Sequence, residues 1–443
     1  MHLAEMSVSL VSLNTRCNMI ASRSALLSLL AIAITALGSH VEGWAGEPNS
    51  VNGSGPEESL VAGGPKDFLE VRHLVLHGSN EAIGRQLAQI AKDRFKVELM
   101  PSSDPLRTKV QRHYIEKNYP ILAERMRGVA AAYGKRFDDN SVNFSGLWYL
   151  QLRASCSVMH LPAGMTASGE SIVSRDYDFS TGTLFGTQPP KGELGVTARP
   201  FVVEMYPERG YSSIAICAYD MLSGVLDGMN SQGLTVAVLA DDELTSKYRM
   251  EPVGESAVGL GVMQMLRFLL DTCRDVEEAK EALLMTKQYY EMIPVHFLVA
   301  DRQGKAFVWE YSQSHNKEFI IENPGKPLVT TNFSLHTRLN GEAPPAADKV
   351  KNVCPRYCAL CERLSEQKEK MSVSFIKECH KCADAVHPSK KQPPTRTLWH
   401  ALYFPEQRKM QVSFYLHDET DASDSKKCRI VRSDYIEFTL KNP

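Results

Sequence analysis

A chain of 443 residues with 43% apolar side chains is long enough for one large domain or two ordinary ones, and it can bury a substantial core. Fifty Lys and Arg against fifty-two Asp and Glu, with no long run of either sign, exclude an electrostatic footprint for nucleic acid or an anionic membrane surface. A small or neutral partner suits that balance better.

At the N-terminus, Arg16 and Arg23 flank the apolar run ALLSLLAIAITAL of residues 25–37, which passes into GSHVEGWAG. This pattern predicts a secretory signal over residues 1–45, with Met19 as an alternative start, rather than a membrane span, which needs about 20 apolar residues. A buried N-terminal helix is the competing reading. No later run is long and apolar enough to cross a bilayer, so a secreted or lumenal protein is expected, lysosomal or periplasmic sites included. Residues 46–67, rich in Gly, Pro, Ser and Glu, read as a flexible linker. The sequons at Asn52 and Asn143 are candidate glycosylation sites.

Residues 68–155 read as a mostly helical leader. FLEVRHLVLHGS alternates like a strand, Ile83, Leu87, Ile90 and Phe95 have helical spacing, and helices are predicted near 105–118 and 120–136. From Cys156 the texture changes to short strands near 156–161, 171–175, 201–206, 212–218, 222–227 and 234–239. Two helices follow, SAVGLGVMQMLRFLLDTC and a DVEEAKEALLM segment that Asp275 can cap. Strands resume at 295–300, 305–311, 318–322 and 328–332. A charged helical region at 355–383 then precedes the strands TRTLWHALYF and KMQVSFYLH. Blocks of antiparallel strands separated by helices predict an α+β fold, with residues 156–443 as its main domain.

Several catalytic signatures are missing. There is no Gly-x-Ser-x-Gly elbow, no His-Glu-x-x-His, no phosphate-cradling Gly-x4-Gly-Lys, and GLGVMQ lacks the third glycine of a dinucleotide site. The chemistry-bearing candidate is SCSVMHLPAGMTASGESIVSRDYD, residues 155–178. As a hairpin turning near Met165–Ala167, it sets residues between about 174 and 178 opposite Cys156. That window holds Arg175 and Asp178. Three residues apart on a regular strand, they point to opposite faces, so both reach the thiol only if the strand ends or bulges. A guanidinium beside a thiol favours the thiolate, and a carboxylate can orient a nearby amine. The competing reading is a buried structural cysteine with a surface ion pair.

CSVMHLP followed by GESIVSRDYDFS resembles the start of the catalytic chain of N-terminal nucleophile amidases, the group of choloylglycine hydrolase, penicillin V acylase and acid amidases. In that pattern a Cys precedes Arg-x-x-Asp by about twenty residues. The leader segment VLHGSNEAIGRQLAQIAK is similar to that of the acyl-CoA:isopenicillin-N acyltransferase branch. Further matches follow in order: LDGMNSQGLTVAVL places Asn230 at a hairpin turn, PLVTTNFS places Asn332 at a strand end, and VCPRYCALCERL places Arg356 on a helix, with Arg338 as a competitor for its role. Ser155 stands where the acyltransferase has Gly. The resemblance implies an αββα sandwich and autocatalytic cleavage between Ser155 and Cys156, with the two resulting chains remaining associated. It also implies a thioester acyl-enzyme acting on a small N-acyl amide or acyl donor. Arg175 would then support the thiolate and Asp178 the terminal amine, while Asn332 and Asn230 would line the oxyanion hole. Arg356 would support the nucleophile or bind a substrate anion. No metal or other cofactor is implied.

Removal of the signal takes Cys17 with it and leaves nine of the ten cysteines, so one thiol has no partner within the chain. Cys358-x2-Cys361 and Cys379-x2-Cys382 have zinc-ribbon spacing. Both pairs also lie in helical periodicity, and two antiparallel helices would bring Cys358 to Cys382 and Cys361 to Cys379 as disulfides. The readings competing with catalysis are a secreted disulfide-rich or zinc-ribbon binding protein and a non-catalytic homologue. A papain-like thiol protease is disfavoured by the lack of that family's local signature.

Overall fold

The computed structural model describes residues 56–99, 101–144, 155–182, 198–218, 224–241, 257–290, 294–312, 314–341, 343–385, 394–420 and 428–441. The chain divides into two units, Met1–Ser50 and Val51–Pro443, and all described residues belong to the second. The expected signal, Asn52 and the first part of the expected linker lie outside the described residues.

Alternating and continuous apolar runs build two large sheets. The first contains β1 (Glu57–Gly63), β2 (Glu70–Gly78), β5 (Phe201–Pro207), β6 (Ser213–Cys217), β7 (Asp227–Asn230), β8 (Thr235–Ala240), β9 (Val295–Ala300), β10 (Ala306–Ser312) and β11 (Lys317–Glu322), in that spatial order. Every pairing in it is antiparallel except that of β2 with β5. The second sheet runs β12 (Leu328–Thr330), β3 (Ser155–Leu161), β4 (Ile172–Ser180), β13 (Thr395–Phe404), β14 (Lys409–Thr420) and β15 (Cys428–Arg432), with β16 (Ile436–Thr439) also paired to β14.

Inner strands of both sheets are buried on both faces, as continuous apolar runs require; every residue of β6 and β9 is buried, and so is all of β4 but Ser180. Helix α4 (Val262–Thr272) covers β7 and β8 and packs on α5 (Val276–Met285), while α6 (Pro355–Glu366) and α7 (Val373–His380) cover β12 and β4. β3 meets β8 between the sheets. The arrangement is the α+β, four-layer αββα sandwich expected. Among the described residues no helix is long and apolar enough to cross a membrane.

The stretch expected as linker is different. Residues 57–63 form β1, antiparallel to β2. Its glycines serve a tight hairpin turn: Gly63 has φ +75°, and a Cβ there would sit 1.8 Å from the Leu69 carbonyl oxygen. Gly and Pro marked a turn between strands, where composition alone suggested a tether.

The leader is helical as expected, with α1 (Asn80–Phe95), α2 (Pro105–Asn118) and α3 (Pro120–Ala132). Ser79 caps α1, its hydroxyl accepting from the Ala82 N–H at 3.2 Å. α1 and α3 touch backbone to backbone, since a Cβ on Gly84 would lie 2.1 Å from the Arg125 carbonyl oxygen and one on Gly128 2.0 Å from that of Glu81. The leader also supplies β2 to the first sheet, paired on one side with β1, so it is part of the fold.

Its helices reach α4 through a buried ion pair. Arg125 donates to Asp271 at 2.6 and 3.1 Å, and the Tyr119 hydroxyl donates to the same carboxylate. Removing one partner strands a buried charge, at a cost of about 3–5 kcal/mol. Asp271→Ala is therefore expected to lower the unfolding free energy by roughly that amount in urea titrations, and a loss below about 1 kcal/mol would show that this joint does not secure the leader.

Candidate active site

The β3–β4 hairpin is in the register that pairs Cys156 with Tyr177, Ser155 with Asp178 and Val158 with Arg175. Residues opposite each other, and those two apart, share a face. Cys156, Arg175 and Tyr177 therefore point inward between the sheets, and Ser157, Ser174, Asp176 and Asp178 point outward under α6 and α7. On the far side of β3, Thr330 of β12 pairs with Val158, and the same register carried two residues further brings Asn332 beside Cys156.

Cys156 is buried, and its thiol lies within hydrogen-bonding reach of the Arg175 guanidinium. That guanidinium spans the gap between the sheets. Nε faces Asp227 at 3.3 Å, one NH2 group donates to the Val238 carbonyl at 2.8 Å, and the other donates to the Asp176 carbonyl. Burial opposes the charge on Arg175, but Cys156 and Asp227 outweigh it, so it is held protonated above the ordinary arginine value. Asp227 is fixed in turn by the Tyr403 hydroxyl at 2.5 Å and Trp399 Nε1 at 3.0 Å, and the Trp399 ring stacks on Tyr177 at 4.1 Å.

The backbone of Cys156 is gripped separately. Its N–H donates to Asn332 Oδ1 at 2.5 Å, while Arg356 donates to the Cys156 carbonyl at 3.1 Å, to Asp178 Oδ2 at 3.0 Å and to Asn332 Oδ1 at 2.7 Å. Asn332 Nδ2 donates to the Ala240 carbonyl at 2.7 Å. With N–H donors around one terminal atom and a carbonyl at the other, the amide orientation is fixed. Arg356 stands in the first turn of α6, whereas Arg338 is exposed.

Arg175 and Asp178 do lie on opposite faces, and β4 itself neither ends nor bulges there. The irregularity is in β13, where Thr397 pairs with Asp178 and Trp399 with Tyr177, leaving Leu398 extra. It aims the Thr397 hydroxyl at Asp178 Oδ1, 2.6 Å away. Asp178 thus reaches Cys156 through Arg356, and the side chain that faces the Cys156 nitrogen is Asn332.

Asn230 is placed elsewhere. Its Nδ2 donates to the carbonyls of Leu270 and Cys273 at 3.0 and 2.8 Å, and its Oδ1 accepts from the N–H groups of Gln232 and Leu234, both at 3.0 Å. This side chain ties the β7–β8 turn to the end of α4 and is not among the groups around Cys156. The strand that does reach the site is β8, through the carbonyls of Val238 and Ala240, which no side-chain motif signals.

The cysteine expectations need correction. Cys358, Cys361, Cys379 and Cys382 are free thiols, as are Cys156, Cys217, Cys273 and Cys354. Cys358 Sγ donates to the Ala347 carbonyl at 3.0 Å. Burial pushes Cys361 and Cys379 up to about 12, which keeps them protonated. Among the described residues, two groups of His and carboxylate side chains bring ligand atoms within 4.8 Å of one another, and neither contains a cysteine. A zinc ribbon is therefore not formed. Asn143 is half-buried.

The two His–carboxylate groups were not singled out in the sequence. The signal was a lone ionisable residue inside an apolar strand, such as His296 in VHFLVA, Glu310 in AFVWEYS and His400 in TRTLWHALYF. In the group Asp176, His380 and His400, all four ring nitrogens already face hydroxyls: Ser157 at 2.9 Å and Ser174 at 2.6 Å for His380, and Ser174 at 2.8 Å and Tyr435 at 2.5 Å for His400. Burial holds His380 down to about 3, and burial together with Asp384 and Asp178 raises Asp176 well above the usual carboxylate range. This is an uncharged hydrogen-bonded layer beneath α7, and a cation would have to displace those hydroxyls to bind there. In the second group, Asp241, His296 and Glu310, His296 Nε2 hydrogen-bonds the Thr331 carbonyl and Nδ1 lies 3.5 and 3.3 Å from the Asp241 and Glu310 carboxylates, a setting that favours a protonated ring over a metal ligand.

A family model, acyl-coenzyme A:6-aminopenicillanic acid acyl-transferase, matches residues 171–419, more than half of the chain. The chain belongs to this family. The match takes in Arg175, Asp178, Asn230, Asn332 and Arg356 and begins after Cys156, whose place at the site rests on the β3–β4 register. Among solved structures, the chain is similar to penicillin V acylase from Agrobacterium tumefaciens, with 14% identity over 58% of this chain and 82% of that one and a TM-score of 0.39. It is also similar to conjugated bile acid hydrolase from Clostridium perfringens, with 15% identity, 63% and 92% coverage and a TM-score of 0.38. A third similarity is to the Caenorhabditis elegans N-acylethanolamine-hydrolyzing acid amidase orthologue, with 14% identity, 62% and 99% coverage and a TM-score of 0.34. No curated protein sequence matches the chain.

In this acyl-transferase family member, burial raises Asp178 to about 6, against the opposing pull of Arg356 and Thr397. A carboxyl raised in the folded state keeps its proton where the unfolded chain has lost it. Its contribution to stability is therefore full at low pH and declines as pH rises from the ordinary carboxyl value of 3.8 through about 6. Relative to Asp178→Asn, the wild type should lose about 2 kcal/mol of unfolding free energy between pH 4 and pH 6.5. Parallel curves for the two proteins would show that Asp178 titrates as an ordinary carboxylate.

Proposed function

We propose that the protein is made as a precursor that cleaves itself between Ser155 and Cys156 and then acts as an N-terminal-cysteine amidohydrolase or acyltransferase on small N-acyl compounds. One observation carries this reading: the side chains around Cys156 are organised about its own backbone as much as about its thiol. Asn332 holds the nitrogen and Arg356 the carbonyl, while Arg175 holds the sulfur. A cysteine acting through its thiol alone has no use for a side chain on its amide nitrogen. A cysteine whose nitrogen becomes a free amine does.

In the precursor, the Cys156 sulfur attacks the Ser155 carbonyl and the C–N bond breaks in an N-to-S acyl shift, leaving a thioester. Water then attacks that carbonyl, releasing the Ser155 carboxylate and the Cys156 thiol. The new α-amine, with a pKa of about 7.7–8.0 in an ordinary setting, takes the thiol proton when sulfur attacks a substrate carbonyl and returns it to the departing amine. Asn332 Oδ1 orients that amine as an acceptor. Arg175 supports developing charge on sulfur, and Arg356, bridged to Asp178, fixes the residue's carbonyl. The acyl-enzyme passes its acyl group to water or to an amine. The basic flank and apolar run of residues 16–37 support export of the precursor, and the engagement of both terminal atoms of the Asn332 amide supports leaving the sequon Asn332-Phe333-Ser334 without a glycan.

Intact-mass and N-terminal analysis of the purified protein should give two fragments, one beginning at Cys156, and Cys156→Ala should give one uncut chain with unchanged melting temperature and no hydrolysis of an N-acyl amide panel. Full activity in a wild-type chain that remains uncut would overturn the reading. The pairing of β2 with β5 and the Arg125–Asp271 ion pair support retention of the leader after cleavage. The two fragments should co-elute in size-exclusion chromatography and part only in denaturant; a second chain eluting alone with activity intact would refute this.

A further inference from the structure

Asn332 is held from behind by a buried ionic cluster that nothing so far connects to the reaction. His296 of β9 stands opposite Glu310 of β10. His296 Nδ1 faces Glu310 at 3.3 Å and Asp241 at 3.5 Å, and its Nε2 donates to the Thr331 carbonyl at 2.6 Å, with the Thr330 hydroxyl at 3.2 Å. Glu310 accepts from the N–H groups of Leu335 and His336 at 2.8 and 2.9 Å and from His336 Nδ1 at 2.7 Å. Asp241 accepts from the Ser334 hydroxyl at 2.5 Å. His296, Glu310 and Asp241 are all buried. Nε2 carries the proton that it donates to the Thr331 carbonyl, and the two carboxylates beside Nδ1, 3.3 and 3.5 Å away without an aligned hydrogen bond, favour a second proton there. Despite burial, which disfavours the charge, the two carboxyl groups hold His296 up to about 10, while His296 and His336 hold Glu310 down to about 2 against its own burial.

The contacts fall on one segment. Thr331, Ser334, Leu335 and His336 are each tied to the cluster, and Asn332 lies between the first two. Asp241 directly follows Ala240, whose carbonyl takes the other end of the Asn332 amide. The cluster thus links β8, β9 and β10 of the first sheet to the residues 331–336 that follow β12 of the second.

We propose that His296, clamped by Glu310 and Asp241, is a positioning residue that sets the Thr331–Asn332 backbone so that Asn332 Oδ1 meets the Cys156 nitrogen. This rests on the autocleavage reading above. An asparagine amide is a single-point contact, and a shift of an ångström in its backbone removes it. A buried hydrogen bond to the preceding carbonyl, as His296 and Thr331 make, resists such a shift better than one exposed to water does.

The test compares two substitutions in the full-length precursor, made by cell-free synthesis and followed by intact mass. His296→Gln keeps an N–H donor near the Nε2 position, and His296→Asn does not. His296→Asn should slow cleavage at 155/156 at least tenfold and, once matured, lower kcat on fluorogenic N-acyl aminocoumarin amides at least tenfold with KM within twofold. His296→Gln should restore both rates to within threefold of wild type. Equal rates for His296→Asn and wild type overturn the proposal, and so does equal loss in both variants, which would mark a cluster that matters for folding alone. If His296→Asn does not fold, Ser334→Ala decides: cleavage three- to tenfold slower supports the clamp, and a wild-type rate overturns it. A wild-type chain that stays uncut and inactive overturns the proposed function and this inference with it, whereas a cut, active wild type matched by His296→Asn overturns this inference alone.

Discussion

The guanidinium of Arg356 ties together the elements that meet at Cys156. It belongs to α6, yet its donors end on the carbonyl of β3, on Asp178 of β4 and on Asn332 just beyond β12. Its side chain is 24% exposed and that of Asp178 is fully buried, so the pair sits where water screens it little and hydrogen bonds to charged groups are worth about 1.5–3 kcal/mol each. Three acceptors on three separate chain segments thus meet one planar fork. The α6 helix must dock in one place, and its docking closes the outer wall of the site.

The inner wall depends on a second arginine used differently. Arg175 is fully enclosed between the sheets, so its charge is tolerable only because Asp227, backbone carbonyls and the Cys156 sulfur surround it. Asp227 is held by Tyr403 and Trp399 from the opposite sheet. The polar seam between the sheets is thus continuous from the β7 turn region to the sulfur. One arginine faces the backbone of Cys156 and the other its side chain, and they reach it from opposite faces of the same hairpin.

That division of labour was legible in the sequence up to a point. Period-two alternation with a turn near Met165–Ala167 places Arg175 and Asp178 near Cys156 and on opposite faces, as found. What alternation cannot give is the partner from a distant helix, so Asp178 looked like a direct neighbour of the amine when it acts through Arg356. Asn230 lies elsewhere for the same reason: its Oδ1 stays within its own turn, but its Nδ2 goes to the carbonyls of Leu270 and Cys273 at the end of α4, partners that a turn motif does not signal. The β1 strand was hidden by the Gly and Pro of its own hairpin, and the cysteine pairs had suitable spacing but no geometry to say which way each thiol turns on its helix. His296, Glu310 and Asp241 lie on three strands with no shared spacing. Only the oddity of a charge within an apolar run marked the first two.

The leader's place in the fold bears on how a cut at 155/156 could leave a working site. β2 lies inside the first sheet between β1 and β5, and α3 is fastened to α4 by a buried ion pair. Cys156 is fixed by strand pairing on both sides of β3, by Asn332 and by Arg356. Breaking the bond between Ser155 and Cys156 removes one covalent link while leaving each flank held by contacts that do not pass through that bond. The nitrogen gains freedom only to the extent that Asn332 allows, which is why a rigid support behind Asn332 has value in this fold. A nucleophile on a loose strand end would lose that orientation on cleavage, whereas one in the second strand of a buried sheet keeps it.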